Sequence, residues 1–376
     1  MSTEIPFNRP YIHGPELEYI RESISTCKIS GDGLFTKKCT ELLKLRYNMK
    51  APLLTTSCTD ALEMAALLLN IKTGDEVIVP SYTFVSTANA FALRGAEIKF
   101  ADSGRYHPNV TAETIEEHIT NNTKAIVIVH YSGVSCDIDS IKLLCNGRNI
   151  HVIEDAAQAI ESTYKGKQLG TLGSFGTFSF HETKNITCGE GGLLSVNDPE
   201  FIKRAEIIRE KGTNRSAFFR GEIDKYGWVD IGSSFLPSDI LAAYLYAQLE
   251  SISIIQEKRI SLWNRYYENL QPYSAELNFS LPLIPEWASN NAHMFYILME
   301  NEEARNLILI KARTAKIGMV FHYQSLHSST FGQRYGASAP LPNSDRFSKC
   351  LVRLPLFNSM TLDQVDQVCD FLVSSL

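Results

Sequence analysis

Between about residues 51 and 200, short apolar runs alternate with longer segments in which apolar residues recur at helical spacing. The runs at 76–79, 125–129 and 150–153 have the length of buried strands. Continuous apolar strands separated by helices are typical of βαβ units, whose parallel strands are covered on both faces. The pattern therefore predicts an α/β fold built around a mostly parallel sheet.

Outside this region the pattern is mainly helical. A short N-terminal arm precedes an amphipathic segment near Pro15–Thr26, and apolar residues at helical spacing predict one or two long helices between about Ser238 and Leu270. Beyond residue 275, short strand-like and helical segments alternate, and a last helix is predicted near 361–374. The C-terminal part is therefore predicted to form a smaller α/β unit.

The length of the chain, 376 residues, exceeds what one ordinary hydrophobic core supports. We predict a large domain at 1–250, which includes the N-terminal arm, and a small C-terminal domain at 251–376. The composition, 44% hydrophobic and 21% charged, is typical of a soluble globular protein. A net charge of -6 offers no basic stripe for nucleic acid, so no nucleic-acid partner is predicted.

Targeting signals and metal motifs also fail to appear in the sequence. No apolar run approaches the roughly 20 residues of a membrane span, and the first residues lack the pattern of a signal peptide. The eight cysteines form no CxxC pair and the nine histidines form no HExxH motif. We therefore predict a cytoplasmic protein with free thiols, no membrane partner and no metal site.

Polar and aromatic residues follow each of the three predicted strands. Parallel sheets bind ligands at the carboxyl ends of their strands, so these residues are candidates for a binding site. The segments concerned are 80–84, 130–133 and 154–158.

One lysine has an unusual setting. Lys184 follows Phe178, Phe180 and His181 and precedes a glycine-rich segment. Partial burial would lower the pKa of this lysine, and a neutral amine can form a Schiff base. The same neighbours in sequence are also compatible with a second interpretation, in which Lys184 lies at a sheet edge and its side chain reaches solvent.

Two further positions suggest ligand binding. Residues 55–60 lead into a good helix, and Ser57 with Asp60 resembles a capping box; the same helix start would also suit a phosphate. Asp155 follows a buried strand, where a carboxylate needs a partner. That partner can be a protonated pyridine nitrogen, although an aspartate that caps the next helix is equally compatible.

Aromatic and hydroxyl residues complete the candidate set. Tyr82 and Phe84 can stack on a flat ring or belong to the core, and Ser179 can bind phosphate or support a turn. A phosphate-suited helix start, an acid, an aromatic ring and a lysine together indicate pyridoxal 5′-phosphate (PLP). The 29 residues between Asp155 and Lys184 fit the aspartate aminotransferase architecture, fold type I of PLP-dependent transferases.

Five stretches of the sequence resemble the DegT/DnrJ-type sugar-nucleotide aminotransferases, and the resemblance extends over essentially the whole chain. They are GDGLFTKKC at 31–39, TSCTDALEMAALLL at 56–69, GDEVIVPSYTFVSTANAFALRGA at 74–96, VIEDAAQAIESTYKGKQLGTLG at 152–173 and FSFHETKNITCGEGG at 178–192. The resemblance implies a PLP-dependent transaminase. Family members that act as 3-dehydratases have histidine in place of the lysine, whereas Lys184 is present here.

The resemblance implies a role for each matching residue. Lys184 would be the catalytic lysine that holds PLP as a Schiff base and moves the proton. Asp155 would pair with the pyridine nitrogen, Gln158 would bind the ring's phenolic oxygen, and Phe84 would stack on the ring. The phosphate would be bound by Ser57, Cys58, Thr59 and Ser179, and by Ser234 from the neighbouring subunit of a homodimer with a shared active site.

Two departures from the family pattern concern binding loops. Ser234 stands where most relatives have asparagine, and a serine offers a shorter hydroxyl in place of an amide. The His322-Tyr323 pair lacks the proline that often follows it in relatives. The resemblance suggests that substrate contacts come from Lys211, His322, Tyr323 and His327.

The stretches 209–250, 291–297 and 320–327 suggest a narrower function. They are similar to family members that transfer an amino group from L-glutamate to C4 of dTDP-4-keto-6-deoxyglucose for enterobacterial common antigen or O-antigen, a part of lipopolysaccharide. The expected product is dTDP-4-amino-4,6-dideoxygalactose. Amination to the gluco epimer, amination at C3, and a non-catalytic regulatory protein remain as alternatives.

Overall fold

The computed structural model describes residues 4–336 and 339–376, and it contains thirteen strands within them. In chain order they are β1 (Ala51–Thr55), β2 (Glu76–Pro80), β3 (Glu97–Ala101), β4 (Thr123–Val129), β5 (His151–Asp155), β6 (Thr163–Tyr164), β7 (Lys167–Gln168), β8 (Phe175–Ser179), β9 (Gly192–Val196), β10 (Phe279–Ser280), β11 (Phe295–Met299), β12 (Val320–Phe321) and β13 (Leu351–Leu354).

Thirteen α-helices surround these strands in the described residues. They are α1 (Glu16–Ser25), α2 (Leu34–Tyr47), α3 (Cys58–Leu68), α4 (Ser86–Ala92), α5 (Ala112–Glu116), α6 (Ile138–Cys145), α7 (Ile202–Arg209), α8 (Arg215–Phe219), α9 (Asp239–Glu250), α10 (Ile252–Leu270), α11 (Glu302–Thr314), α12 (Pro342–Cys350) and α13 (Leu362–Ser375). Short 3₁₀ turns occur at Tyr131–Gly133, Pro199–Phe201, Gln271–Tyr273, Leu326–Ser328 and Gly332–Arg334.

The large sheet has seven strands in the order β1-β9-β8-β5-β4-β2-β3. The strands from β8 to β3 pair in parallel, whereas β9 is antiparallel to both β8 and β1. The prediction of a mostly parallel α/β sheet is therefore confirmed. The predicted strand at 150–153 is shifted, because parallel pairing with β8 continues as far as Asp155 and makes it the last strand residue.

The large sheet separates two hydrophobic cores. Successive side chains of β4 alternate between them: Ile126 and Ile128 belong to one core, and Ala125 and Val127 to the other. Both faces of the strand are buried, which explains its uninterrupted apolar sequence.

The second sheet has four antiparallel strands in the order β10-β11-β13-β12. Helix α10 contributes to two cores: Ile252 and Ile255 pack beside the large sheet, and Leu262 and Tyr266 pack against the small one. The predicted boundary at residue 250 coincides with the end of α9. The division into domains at that residue stays a prediction.

None of the helices in the described part of the chain is long and apolar enough to cross a membrane.

Candidate active site

A cavity of about 410 Å³ lies at the carboxyl ends of the central parallel strands. Its wall brings together ten of the predicted residues, which come from segments far apart in sequence. They are Ser57, Cys58, Thr59, Phe84, Asp155, Gln158, Ser179, Lys184, His322 and Tyr323.

Lys184 lies in the turn that follows β8, where its backbone N–H donates to the carbonyl of His181 at 3.0 Å. Burial lowers the pKa of the Lys184 ammonium, and the nearby Cys58 and Asp155 partly oppose this shift. A lysine at this position is more readily neutral than an exposed one. Of the two interpretations of Lys184, the cavity geometry favours a reactive amine over a solvated lysine.

Asp155 ends β5 with its carboxylate buried at the cavity wall. Thr87 donates its hydroxyl to Oδ2 at 2.8 Å, and the backbone N–H of Ala157 donates to Oδ1 at 3.2 Å. Burial raises the pKa of Asp155 despite these hydrogen bonds. A cationic ring nitrogen in the cavity would supply the positive charge that favours the ionised carboxylate.

The N-terminus of α3 forms another part of the wall. Ser57 is the N-cap residue, and its hydroxyl accepts from the N–H of Asp60 at 3.0 Å. The Asp60 carboxylate accepts from the Thr56 hydroxyl, so only one half of the predicted capping box forms. The first N–H groups of the helix, at Cys58 and Thr59, have no intrahelical acceptor and are available to an anion.

Gly192 at the start of β9 allows this helix N-terminus to pack closely on the sheet. A Cβ atom at residue 192 would lie 2.2 Å from the carbonyl carbon of Ser57 and 2.5 Å from the nitrogen of Cys58. Only glycine permits this approach, which holds the N-terminus of α3 beside the end of β8.

Two aromatic residues after β2 have different environments. Tyr82 is buried and packs against Tyr131 and Phe347, so it belongs to the core. Phe84 is 55% exposed at the cavity wall, where its ring is available to stack on a planar ligand. Tyr82 therefore fits the interpretation as a core residue, and Phe84 fits the interpretation as a ring that can stack on a flat ligand.

Gln158 is held by hydrogen bonds on both sides of its amide. Oε1 accepts from the backbone N–H of Ser132 at 2.6 Å, and Nε2 donates to the hydroxyl of Tyr323 at 3.2 Å. These bonds fix the orientation of Gln158 at the cavity wall and connect it to the His322-Tyr323 segment. His322 in turn is 2.8 Å from the hydroxyl of Tyr131 through Nδ1.

The sequence profile of the DegT/DnrJ/EryC1/StrS aminotransferase family matches residues 10–373. The chain belongs to this family. The protein MJ1066 of Methanocaldococcus jannaschii, which is named as uncharacterized, is 31% identical over 378 residues, with 97% of this chain and 95% of that protein aligned.

Two solved structures show the same fold as this aminotransferase. The aminotransferase TlmJ of Streptoalloteichus hindustanus superposes with a TM-score of 0.90, at 26% identity over 99% of both chains. Spr1654 of Streptococcus pneumoniae, provisionally named a sugar aminotransferase, has a TM-score of 0.90 in its PLP form, at 25% identity over 99% of this chain and 98% of that one. The PMP form of Spr1654 gives 0.91. The predicted fold, that of PLP-dependent aminotransferases, is therefore confirmed.

The cofactor of this aminotransferase is PLP, as the sequence predicted. The cavity fits the cofactor at three independent points. Gly192 permits the close approach of α3, whose free N–H groups suit the phosphate. Asp155 is a buried acid that suits the pyridine nitrogen. Lys184 has an amine with a lowered pKa that suits the aldehyde.

Three predicted residues lie outside the cavity wall. His327 Nδ1 is 2.6 Å from the hydroxyl of Ser81, and its Nε2 is 3.5 Å from the carboxylate of Asp345. The N–H of Lys211 donates to the carbonyl of Ser233 at 2.9 Å, and Ser234 forms a bridge with Glu210. The prediction for Ser234 concerns a second copy of the chain and stays a prediction, as do the substrate contacts of Lys211 and His327.

Among the residues that were not predicted from the sequence, three are important for the site. His293 and Arg353 line the cavity and come from the region of the small sheet, and Thr87 is buried and donates to Asp155. The sequence carried one signal for them: Arg353 interrupts the apolar run 351–356, where a charged residue needs a partner.

Proposed function

We propose that this protein is a transaminase for a sugar nucleotide, with L-glutamate as the amino donor. The acceptor is dTDP-4-dehydro-6-deoxy-D-glucose, and the products are dTDP-4-amino-4,6-dideoxy-D-galactose and 2-oxoglutarate. The observation that carries the transaminase assignment is Lys184 in one cavity with Asp155 and Gln158. The choice of sugar and donor rests on the resemblance of 209–250, 291–297 and 320–327.

PLP, when bound, supplies an aldehyde for the donor's amino group and a ring that withdraws electrons from the donor's α-carbon. The Nζ atom of Lys184 takes the proton from that carbon, and its lowered pKa favours the neutral amine that this step requires. The carboxylate of Asp155 holds a proton on the ring nitrogen. Thr87 and Ala157 orient this carboxylate.

The remaining residues position the ring. The first turn of α3 and Ser179 would bind the phosphate, Phe84 would stack on the ring, and Gln158 would bind the phenolic oxygen. In the second half of the reaction, Lys184 returns a proton to C4 of the sugar. The face on which Lys184 delivers this proton determines whether the galacto or the gluco amine forms.

The test is incubation of the holoenzyme with L-glutamate and dTDP-4-keto-6-deoxyglucose, followed by NMR of the product. We expect a 4-amino sugar of galacto configuration and an equal amount of 2-oxoglutarate. A gluco product would change the proposed stereochemistry, and a C3-amino product would change the proposed substrate. Both products would still be those of a sugar-nucleotide transaminase. No consumption of either compound would support a cofactor-binding protein without turnover.

We also propose that the active site is shared within a homodimer. The segment that precedes Gly232–Phe235 exposes large apolar side chains: Phe219 is 69% exposed, Trp228 84% and Ile231 48%. A second copy that covered this surface would bring its Ser234 loop to the phosphate end of the cavity. We further propose that the protein is cytoplasmic and that its product is used for the synthesis of enterobacterial common antigen or O-antigen.

A further inference from the structure

His293 lines the cavity just before β11 and is held in place from three sides. Its backbone N–H donates to Oδ1 of Asn291 at 3.0 Å, and its carbonyl accepts from Nη2 of Arg259 at 2.8 Å. Its ring atom Nδ1 lies 2.9 Å from Oδ1 of Asn185, the residue that follows the catalytic lysine in the chain. Backbone and ring of His293 therefore have one fixed placement.

The hydrogen bonds of Asn185 decide which nitrogen of this imidazole carries the proton. The Nδ2 group of Asn185 donates to the backbone carbonyl of Asn291 at 2.8 Å and to Oε1 of Gln256 at 3.1 Å. A backbone carbonyl can only accept, so the amide nitrogen must face it, and Oδ1 faces His293. Because Oδ1 also only accepts, the proton of the imidazole is on Nδ1.

The second ring nitrogen, Nε2, is therefore a free acceptor. Burial lowers the pKa of His293 well below its usual value, and the positive charges around the ring add to this shift. The groups that act on it are Lys184, Arg353, Arg259 and His322. The imidazole is neutral at physiological pH, so Nε2 has a lone pair and no proton. No donor to Nε2 occurs among the hydrogen bonds of the described residues.

We propose that Asn185 is a positioning residue, which holds His293 so that Nε2 accepts a hydrogen bond from the ammonium group of Lys184. Both side chains line the same cavity, and the charge of Lys184 acts on the imidazole more strongly than any other charge. Lys184 becomes an ammonium when it takes the proton of the amino donor, and it must later pass this proton on. A neutral acceptor stabilises the ammonium in between and gives it a direction.

The other groups around the Lys184 amine suit this task less well. Arg353 is itself a cation, and burial raises the pKa of the Cys58 thiol, which leaves a weak acceptor. The carboxylate of Asp155 would pair with the ring nitrogen of the cofactor. An imidazole whose pKa lies far below that of an amine does not compete for the proton. This inference rests on the proposed transaminase function and adds to it two residues that support the catalytic lysine.

The test measures the tautomer of His293 and the pKa of Lys184 in the full-length apoprotein, so neither result depends on turnover. Nitrogen NMR of protein with ¹⁵N-labelled histidine shows which ring nitrogen carries the proton, and the signal that H293N lacks identifies His293. Acetic anhydride labels only the neutral amine of Lys184, so the labelling rate as a function of pH, read by mass spectrometry, gives its pKa.

Two substitutions of His293 separate the two ring nitrogens. In H293N the amide nitrogen takes the place of Nδ1 and can still donate to Asn185, but no atom replaces Nε2. In H293Q the amide oxygen can take the place of Nε2, whereas the donor to Asn185 is lost. N185A keeps the imidazole and removes the group that fixes its tautomer.

We expect wild-type His293 to carry its proton on Nδ1. H293N should label Lys184 about three- to tenfold faster at neutral pH, because loss of the acceptor lowers the pKa of the amine. H293Q should label at close to the wild-type rate. In N185A the second tautomer should appear in the NMR spectrum, and the labelling rate should rise towards that of H293N.

H151N is the matched control. His151 lies at the amino end of β5, where its Nδ1 is 3.1 Å from the hydroxyl of Ser174, whereas the cavity lies at the carboxyl end of that strand. H151N should therefore leave the labelling rate of Lys184 within about twofold of wild type.

Two results would overturn the proposal. A proton on Nε2 in the wild-type protein would contradict the role of Asn185. Unchanged or slower labelling of Lys184 in a folded H293N would exclude the hydrogen bond to the ammonium, and loss of turnover in the same variant would then assign His293 to the substrate. The proposed function fails separately, because an enzyme that does not convert the sugar nucleotide would still give both measurements.

Discussion

At the scale of single residues, the site consists of groups whose ionisation is shifted by burial. Lys184 has a lowered pKa and Asp155 a raised one, each with desolvation as the largest cause. In both cases burial shifts the equilibrium toward the uncharged form, and a cationic ring nitrogen beside Asp155 would favour the charged carboxylate. Function is therefore expected to depend on these two residues far more than stability does.

Replacement of Lys184 by alanine should abolish turnover, with a loss of at least about 10²–10⁴-fold, because the described residues of the cavity wall include no second lysine to move the proton. The reducible covalent adduct between protein and PLP should also disappear, as borohydride treatment and mass spectrometry would show. K184R keeps the charge and serves as the control. Normal turnover by K184A would exclude the proposed role.

Replacement of Asp155 by asparagine should stabilise the apoprotein while it lowers activity by about 10²-fold or more. The raised pKa of Asp155 means that the folded state binds this proton more tightly than the unfolded state. Its contribution to stability is full below the ordinary pKa of 3.8 and is lost as pH rises through the raised value.

Asparagine has no such loss. The melting temperature of apo D155N minus that of apo wild type should therefore increase as the pH rises above 3.8, and it should level off once the pH has passed the raised pKa of Asp155. The expected gain near neutral pH is about 1 kcal/mol, equivalent to about 2–4 °C. Thr87→Val removes the hydroxyl donor to Asp155 and should therefore lower the melting temperature of the apoprotein. If the difference in melting temperature between D155N and wild type did not change with pH, this result would argue against a buried Asp155 with a raised pKa.

At the scale of secondary-structure elements, β5 carries two acids with different tasks. Glu154 accepts hydrogen bonds from the backbone N–H groups of Gly170, Leu172 and Gly173 and lies 3.0 Å from Nε2 of His130. Because the N–H of Cys136 donates to Nδ1 of His130 at 3.3 Å, the proton of this imidazole is on Nε2 and points at Glu154. Glu154 thus holds the loop at 170–173 in place, whereas the next residue, Asp155, faces the cavity.

The contact between α3 and β9 gives a prediction at the same scale. Gly192→Ala should weaken PLP binding by about tenfold or more and destabilise the protein by about 1–3 kcal/mol, because the added methyl would meet backbone atoms of Ser57 and Cys58. Calorimetric titration of the apoprotein with PLP and thermal unfolding would measure both effects. G14A is the control, since a Cβ at Gly14 meets no atom within 4 Å; equal effects of the two substitutions would contradict the explanation.

At the scale of the whole molecule, the proposed shared active site can be tested by mixing inactive subunits. K184A lacks the catalytic amine, and S234R blocks the loop that a subunit would lend to its neighbour. In a mixed dimer, one of the two sites has native Lys184 and a native Ser234 loop. An equal mixture after subunit exchange should recover up to about a quarter of wild-type activity. No recovery, with mixed dimers demonstrated by mass spectrometry, would assign each site to a single chain.

The local sequence determined the central strands and much of the site. Apolar runs buried on both faces identified β2, β4 and β5, and the residues at their ends predicted Phe84, Asp155 and Gln158 as neighbours. The start of helix α3 was indicated by its N-cap residue, and the turn with Lys184 was indicated by a lysine among aromatic residues. The family then followed from long matching motifs.

Only the tertiary structure decided which residues outside these signals reach the cavity. Arg353 and His293 come from the region of the small sheet and line the same cavity as Lys184, and Thr87 in α4 donates to Asp155 at the end of β5. These residues are separated by dozens to more than a hundred positions, so the pattern along the chain does not show which of them come together, and folding places Arg353 in the wall of the cavity that Lys184 lines.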